Sequence, residues 1–472
     1  MTNLPTPLRR TAIALGAALI AAACLQAWSY WPGIMPWDAV RQYGQALSGA
    51  FDDWHPPAME WLWRQLTTIH AGPAPMLVLQ LALYWSGFAL LAGWALRERR
   101  QWLAVGLAAC ALLPVPLALM GAVLKDCQMA GALVAATGLV AVTRSPSSLH
   151  APVRRALQAL AILLLFAAAT LRFNAFPACL PLLITLLPAA WRRAPARFAA
   201  TALVGTVALI AAMPIANRLL HAERSGVELS LVIFDLGGIT RHSGVDAFPP
   251  QPVADPVAVN RRCYSPVKWD PYSWWVVAPC PIGFESVRAA LARTGTSPYR
   301  LWLGAVLAHP LAYAEHRATH FNVNTRFLVH DEIERPVTDQ SAPNDWNYRI
   351  TPNPAERLID GIAVWSGGTP LGWPICWLAL ALGVLIVAPR LPSRGLVVPL
   401  ALSAFLYGFA YLPLSVAAEL RYHLWTMTGT AVAAAIAASE LASGPRRHLL
   451  VAAAPLLVVT LLCLAWRLFP AL

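Results

Sequence analysis

The sequence predicts an all-α polytopic membrane protein with about eleven transmembrane helices and an external loop domain. Of its 472 residues, 58% are hydrophobic and only 12% are charged, whereas soluble domains are ~25% charged. Apolar runs repeatedly approach or exceed the ~20 residues that a helix needs to cross a bilayer. Their apolarity is continuous rather than alternating, which excludes a transmembrane β-barrel.

The predicted spans follow one another from the N-terminus. They cover approximately residues 11–31, 74–96, 102–122, 127–143, 156–171, 175–191, 198–217, 371–389, 395–416, 423–439 and 448–467. The first resembles a signal peptide, because Arg9 and Arg10 precede an apolar core. The apolar run continues to Trp31, which is long for a signal peptide and favours an uncleaved first span.

Arginine placement predicts the orientation of the spans. If the N-terminus is cytoplasmic, every arginine cluster between spans falls on the inner side, as the positive-inside rule requires. The clusters lie at 9–10, 97–100, 144–155, 192–197, 390–394 and 446–447. They account for much of the net charge of +12, so a nucleic-acid partner is not expected. The sequence predicts a multi-pass protein of the bacterial inner (cytoplasmic) membrane, with its active site on the periplasmic side.

The spans and loops divide the chain into three parts. An N-terminal transmembrane module, residues 1–217, holds spans one to seven and the first external loop, 32–73. An external periplasmic domain covers 218–370, and a C-terminal transmembrane module with spans eight to eleven covers 371–472. Within loop 32–73, two segments have the apolar spacing of amphipathic helices.

Cys263 and Cys280 lie in the predicted external domain, apart from the six cysteines of the apolar runs. The periplasm permits disulfides, so the two are a candidate pair, although spacing does not show that their sulfurs meet.

Polar residues outside the arginine clusters gather at the outer ends of the spans. They are Asp38, Asp52, Asp53 and His55 after span one, then Lys125, Asp126, Arg172, Asn174, Arg421 and Tyr422 in later outer turns. Because a charge at the bilayer centre costs about 2.5–3.5 kcal/mol, such residues face the interface or a wet cavity. Each taken singly fits a turn residue or an interface anchor equally well, but the set on one face favours a site.

This set suits one kind of chemistry. A carboxylate at the membrane boundary can act as a general base toward a hydroxyl group. Guanidinium and ammonium groups suit a phosphate, and the 20 tryptophans offer flat faces for sugar rings. The combination predicts transfer of a sugar from a lipid phosphate carrier.

The order of the motifs resembles the membrane glycosyltransferases of the GT-C fold. They are an acidic residue soon after the first span, then "DWHPPAMEWLW", "LKDCQMA" and "LRFNAFPA". The bacterial branch related to protein O-mannosyltransferases and aminoarabinose transferases is the most similar, over roughly residues 1–215.

The resemblance implies a GT-C-like bundle, a polyprenyl-phosphate-linked sugar donor, inversion at the anomeric carbon, and a catalytic acidic residue at the position of Asp38. The family often has Glu after this Asp, where this chain has Ala39. His55 matches the family's His-Pro-Pro segment and is equally well explained as a residue before a helix start.

The leading hypothesis is therefore an inverting hexosyl- or pentosyltransferase. Asp38 takes the proton from an acceptor hydroxyl, and Lys125, Arg172 and Arg421 bind the polyprenyl phosphate. Asp126 orients Lys125 or Arg172, or helps to hold a divalent cation if one is used. His55, Asn174 and Tyr422 complete the predicted substrate-binding set. Asp52 or Asp53 could replace the family's second carboxylate, but a solvated turn is the favoured interpretation of both. The acceptor is a glycan, a lipid or a protein.

Two other functions are also compatible with the sequence. One is a transporter or flippase for a lipid-linked or anionic solute, and the other is an oligosaccharide polymerase or ligase. His316 and His320 form an i, i+4 pair spaced to bind a metal, but the sequence supplies no third ligand with supporting spacing. A solvated or interfacial helix is the favoured interpretation of that segment.

Overall fold

The computed structural model describes residues 6–145, 149–330 and 333–469. Within these ranges the chain is helical, with isolated β-bridges but no strand. The predicted all-α class is confirmed.

Consecutive α-helices make up the chain. They are α1 (Thr6–Ser29), α2 (Trp37–Ser48), α3 (Pro57–Thr67), α4 (Ala74–Arg97), α5 (Gln101–Cys110), α6 (Pro114–Leu119), α7 (Lys125–Arg144), α8 (Ala151–Leu171), α9 (Phe176–Thr185), α10 (Ala189–Arg193), α11 (Pro195–Leu219), α12 (Glu228–Ser243), α13 (Pro256–Cys263), α14 (Phe284–Thr294), α15 (Pro298–Ala308), α16 (Pro310–Asn324), α17 (Pro354–Gly367), α18 (Pro374–Val387), α19 (Arg394–Phe409), α20 (Tyr411–Leu414), α21 (Leu424–Leu441) and α22 (Arg446–Leu468). Short 3-10 helices cover Asp270–Tyr272, Pro370–Gly372, Ala388–Arg390 and Leu420–His423.

Seven described segments are long and apolar enough to cross a membrane, which supports a multi-pass membrane protein. They are Leu8–Ser29, Ala74–Arg97, Lys125–Arg144, Ala151–Leu171, Pro195–Leu219, Arg394–Leu414 and Arg446–Leu468. All seven match predicted spans.

The other four predicted spans fall on shorter or less apolar helices, so the total of eleven stays a prediction. Span 102–122 is divided into α5 and α6, because the residue before Pro114 is extended and cannot continue a helix. The others correspond to α9, α18 and α21.

The chain divides into two compact units, whose bounds differ from those of the three predicted parts. Unit 1 comprises Met1–Glu223, Arg335–Phe409 and Arg421–Leu461. Unit 2 comprises Arg224–Glu334, Ala410–Leu420 and Leu462–Leu472. Residues 1–5 and 470–472, at the outer ends of the two predicted transmembrane modules, lie outside the described residues.

The last part of the predicted external domain, residues 335–370, belongs to unit 1. There α17 packs against α1 and α6, and the Tyr30 hydroxyl donates to Asp360 at 2.6 Å. The Met35 amide likewise donates to the Ser341 hydroxyl at 3.0 Å. These bonds tie residues 335–370 to the first span and to the loop that follows it.

Helix α7 is the centre of unit 1. Its apolar segment is buried along its whole length, and it packs against α4 and α8. By contrast, only 6% of the apolar segment of α11 is buried. Apolar helices that leave most of their surface uncovered suit a lipid environment.

Polar contacts fix the segment that leads into α7. The Gln80 amide donates to the Met120 carbonyl at 2.6 Å and to the Ala122 carbonyl at 2.9 Å. The Ile34 amide donates to the Gly121 carbonyl at 3.1 Å, and the Ile34 carbonyl accepts from the Val123 amide at 2.9 Å. The start of the first loop is thereby held against the start of α7.

Glycine is required at position 121, where the start of the first loop passes close to the segment before α7. A Cβ built on it would lie 2.3 Å from the Tyr30 ring, so any larger residue would push the loop away from α7. The close approach of these two segments is what brings the first loop near Lys125.

The opposite end of the bundle holds arginines from the predicted inner loops. Arg144, at the far end of α7, donates to the Thr185 carbonyl at 2.9 Å. Arg100 donates to Glu440 at 2.8 Å. A helix of this length places Lys125 and Arg144 about 28 Å apart. The predicted outer and inner charges of α7 therefore occupy its two opposite ends.

Candidate functional site

The first loop of unit 1 forms two short helices, as its apolar spacing predicts, and each positions one predicted site residue. Asp38 lies in the first turn of α2, after Pro36, where the helix dipole favours a carboxylate. His55 stands before Pro56 and Pro57, and Pro57 is the first residue of α3. Proline is well suited to that place because its fixed φ is already helical.

Asp38 is surrounded by cationic and ring nitrogen groups from three other segments. Its Oδ2 accepts from Arg421 Nη1 at 2.9 Å and lies 3.4 Å from Lys125 Nζ. Its Oδ1 lies 3.9 Å from His55 Nε2. The side chain of Asp38 remains 23% exposed, so the carboxylate is accessible while it is held by its partners.

These neighbours set the protonation of Asp38. Burial alone would raise its pKa, but the charges of Arg421 and Lys125 outweigh burial and hold the pKa of this carboxyl well below its usual range. Asp38 is therefore a carboxylate at neutral pH.

His55 is a neutral imidazole in a defined tautomer. Burial and the neighbouring Lys125 charge lower the pKa of His55 well below its usual value. Its Nδ1 lies 2.8 Å from Lys125 Nζ. An ammonium group has donors only, so Nδ1 accepts and the ring proton resides on Nε2, on the side of Asp38.

A second pair lies beside the first. Arg172 donates to Asp126, and its Nε donates to the Asn174 amide oxygen at 3.2 Å. Asp126 follows Lys125 in the first turn of α7, and Arg172 ends α8 in an extended conformation. Asp126 is fully buried, and its Oδ2 has no hydrogen-bond partner among the described residues.

Tyr422 joins the two groups. Its ring centre lies 4.4 Å from the Arg172 guanidinium carbon and 5.6 Å from that of Arg421. Cations over an aromatic face are attracted by its quadrupole. The structure thus brings all eight predicted site residues into unit 1, as two ion-paired groups that share one ring.

No family model, curated protein or solved structure matches this chain. The GT-C resemblance therefore stays a prediction, and a function has to be argued from the geometry of this site.

Asp52 and Asp53 lie between α2 and α3, Asp52 in an isolated β-bridge with Glu223 and Asp53 in a bend. Asp52 pairs with Arg41 at 2.5 Å and accepts from the Trp54 amide at 2.9 Å. The backbone amide of Asp53 donates to Glu223 at 3.0 Å. Asp52 therefore serves local structure, as its sequence context indicates.

The sequence prediction missed two buried polar residues of the first loop. Gln42 and Glu60 are fully buried, and neither side chain has a hydrogen-bond partner in the described part of the chain. Burial, reinforced by the Asp52 charge, raises the pKa of Glu60 to about 9. Glu60 is neutral at pH 7, and only its place five residues after His55 could have drawn attention to it.

The favoured interpretation of the His316 segment, a solvated or interfacial helix, does not hold for its two histidines. His316 and His320 are both fully buried in unit 2, because α16 packs against α12. His316 Nε2 lies 3.1 Å from Asp235, while His320 Nδ1 bonds the Pro266 carbonyl at 2.6 Å. Among the residues that the structure describes, no cluster of three His, Cys, Asp or Glu is arranged to hold a metal, so a divalent cation stays an open prediction.

Unit 2 also contains the candidate cysteine pair. Cys263 and Cys280 form a disulfide, with their Cα atoms 5.8 Å apart. The loop that it closes presents Trp274 and Trp275 at the surface.

Proposed function

We propose that this protein is an inverting glycosyltransferase of the inner membrane that transfers a sugar from a polyprenyl-phosphate donor to an acceptor hydroxyl on the outer face. The observation that supports this function best is the partly exposed Asp38 carboxylate beside Lys125 and Arg421. A base next to phosphate-binding cations is what transfer from a phosphate-linked sugar needs.

Each residue has a definite role in the proposed reaction. The acceptor oxygen attacks the anomeric carbon while Asp38 takes the hydroxyl proton. The bond between that carbon and the phosphate oxygen breaks, and the electron pair stays on the phosphate. Lys125, Arg172 and Arg421 stabilise this developing charge, so no strong general acid is needed.

The supporting residues hold the cations in place. Asp126 and Asn174 orient the Arg172 guanidinium, and His55 accepts from the Lys125 ammonium. Tyr422 keeps the two guanidiniums near one another. Fixed donors of this kind stabilise a transition state without reorganising during the reaction.

A transporter is less well supported. Transporters carry polar groups or broken helices near the bilayer midplane. The break between α5 and α6 within predicted span 102–122 fits that pattern, but the charged groups do not. Helix α7 has no charged residue between Asp126 and Arg144, and the described ion pairs of Arg172 and Asp38 lie at helix ends.

Measurement of sugar transfer by the Asp38→Asn variant tests the proposal. The purified protein in lipid nanodiscs is given a panel of polyprenyl-phosphate sugars, and labelled product is counted. Loss of the general base should lower the rate about 10²- to 10⁴-fold. Asp52→Asn is the matched control, because it removes the same charge from the Asp52–Arg41 pair of the same loop. Near-wild-type turnover by Asp38→Asn would sink the assignment.

A further inference from the structure

The cations that would bind a donor phosphate are already occupied by a carboxylate. Lys125 and Arg421 both approach the same oxygen of Asp38, at 3.4 and 2.9 Å. Each of these two side chains is 14% exposed, so a ligand that reaches Asp38 also reaches them. An incoming phosphate has to compete with Asp38 for the same N–H groups.

We infer that Asp38 is the built-in counter-anion of a phosphate site, and that the donor phosphate takes Lys125 and Arg421 from it on binding. This exchange of cations from Asp38 to the donor phosphate is called the handover below. It rests on the proposed function and describes how the base of that reaction is regulated. Without a donor, Asp38 is held by its cations and is a weak base. With the donor bound, its carboxylate is released beside the acceptor hydroxyl.

The charges bonded into the two groups fit this exchange. They comprise three cations, Lys125, Arg172 and Arg421, and two carboxylates, Asp38 and Asp126. Among these described ion pairs, the cations exceed the carboxylates by one. A sugar linked to a polyprenyl monophosphate is a phosphodiester with one negative charge, so the bound donor would make the site neutral.

The other titratable groups of the first loop leave that balance unchanged. His55 is neutral because burial and Lys125 lower its pKa. Glu60 is neutral because burial raises its pKa to about 9. Arg41 and Asp52 pair with each other at 2.5 Å, and Tyr422 contributes an uncharged ring.

The balance also survives the reaction. As the new bond to the acceptor oxygen forms, its proton moves to Asp38, which becomes neutral. The polyprenyl phosphate leaves with a second negative charge, and the cations freed from Asp38 neutralise it. A diphosphate-linked donor would leave the same site one negative charge in excess, so the charges favour a monophosphate carrier.

Binding of polyprenyl phosphate, the leaving group alone, tests the handover. Wild type and variants in nanodiscs of zwitterionic lipid are titrated with it, and dissociation constants are compared. Asp38→Asn removes the competing carboxylate, so we expect binding about tenfold tighter than in wild type, although transfer is lost. The gain should grow between pH 5 and 7, as the phosphate takes its second charge near pH 6.

Matched variants separate competition from general electrostatics. Asp52→Asn removes an equal charge from the neighbouring pair with Arg41 but frees neither Lys125 nor Arg421, so it should tighten binding far less than Asp38→Asn does. Asp38→Glu keeps the competing carboxylate and should stay near wild type. In a Lys125→Gln background, Asp38→Asn should gain less, because one of the contested cations is gone.

The ligand source is distinguished in the same assay. Inorganic phosphate should rank the variants in the same order, since the cations act on phosphate oxygens, but should bind more weakly because it lacks the lipid chain. If Asp38→Asn were insoluble, Asp38→Ala would be compared in its place, with the monodisperse state of each variant checked by size exclusion.

Failure of the handover differs from failure of the proposed function. Unchanged or weaker phosphate binding by Asp38→Asn overturns the handover, even if the variant has lost transfer. Tighter binding by a protein whose wild type transfers none of the sugars would support the phosphate site and overturn the glycosyltransferase assignment.

Discussion

Each unit of the molecule contains an aspartate beside an arginine and a histidine, and the two arrangements differ in exposure and charge. In unit 1, Asp38 is 23% exposed and lies near Lys125, Arg421 and His55. In unit 2, Asp235 is fully buried, with Arg317 at 2.5 Å, His316 at 3.1 Å and the Trp302 indole donating at 2.7 Å.

The difference separates a site from a structural pair. Asp235 is balanced by one cation, because burial lowers the pKa of His316 and keeps it neutral. The Asp38 group has more cations than it needs for its own neutrality, and part of it is open. Residue types alone do not distinguish the two groups, whereas excess charge at an accessible carboxylate does.

Asp235→Asn should have a large effect on stability and little on chemistry. It leaves the Arg317 guanidinium buried without its counter-ion, which costs about 3–5 kcal/mol. We expect earlier thermal unfolding and faster proteolysis within 224–330, with nearly unchanged transfer per folded molecule. Asp38→Asn should do the reverse. Because its group is partly exposed, we expect transfer to be lost while thermal unfolding stays close to that of wild type.

The opposite pattern would break the comparison. If Asp235→Asn unfolded like wild type but lost transfer, the unit 2 group would belong to the reaction. If Asp38→Asn unfolded as readily as Asp235→Asn, the Asp38 group would be largely structural.

The sequence predicted the members of the two ion-paired groups but not their contacts. In a chain with few charges, Asp38, Lys125, Arg172 and Arg421 are conspicuous at span ends, because a charge there has to be near water or a partner. Their pairing depends on the backbone bonds between Ile34 and the segment before α7, which no local pattern reveals.

Other errors have a similar cause. The i, i+4 spacing of His316 and His320 is local, but the partner that makes burial of His316 tolerable is Asp235, on another helix. Glu60 lies on a segment whose apolar spacing predicts an amphipathic helix, and the burial of its side chain depends on the packing of α3 against other helices. The helix class was predictable because hydropathy is local, whereas hydropathy does not mark the break before Pro114, which lies within one apolar run.

Tyr422→Leu should have an intermediate effect on activity. The ring lies within 4.4 and 5.6 Å of two guanidinium carbons, and a partly desolvated cation–π contact contributes roughly 0.5–2 kcal/mol. We expect about a tenfold fall in transfer, with Tyr422→Phe close to wild type because it keeps the ring.

Unit 2 offers a matched control for the ring. Tyr313 lies 5.9 Å from the Arg317 guanidinium carbon, so Tyr313→Leu removes a comparable contact from the structural group. Loss of transfer in Tyr313→Leu, or equal losses in Tyr422→Leu and Tyr422→Phe, would contradict the role given to the Tyr422 ring.

Glu60→Gln should have the smallest effect on transfer at pH 7, where Glu60 is already neutral. Its pH dependence tests the role of the excess positive charge. Burial, aided by Asp52, raises the folded-state pKa of Glu60 from its usual 4.5 to about 9. Its contribution to stability is therefore fully present below pH 4.5 and is lost as the pH rises through 9. Wild type should lose thermal stability between pH 5 and 9, and Glu60→Gln should lose less over the same window.

The same titration should reach the phosphate site. Ionised Glu60 would cancel the excess positive charge that distinguishes the Asp38 group from the Asp235 group. Polyprenyl-phosphate affinity should therefore weaken toward pH 9 in wild type, by about tenfold or less, and stay nearly constant in Glu60→Gln. Parallel pH curves for the two proteins would show that Glu60 does not act on that charge, and the excess would then depend on Asp38 and its cations alone.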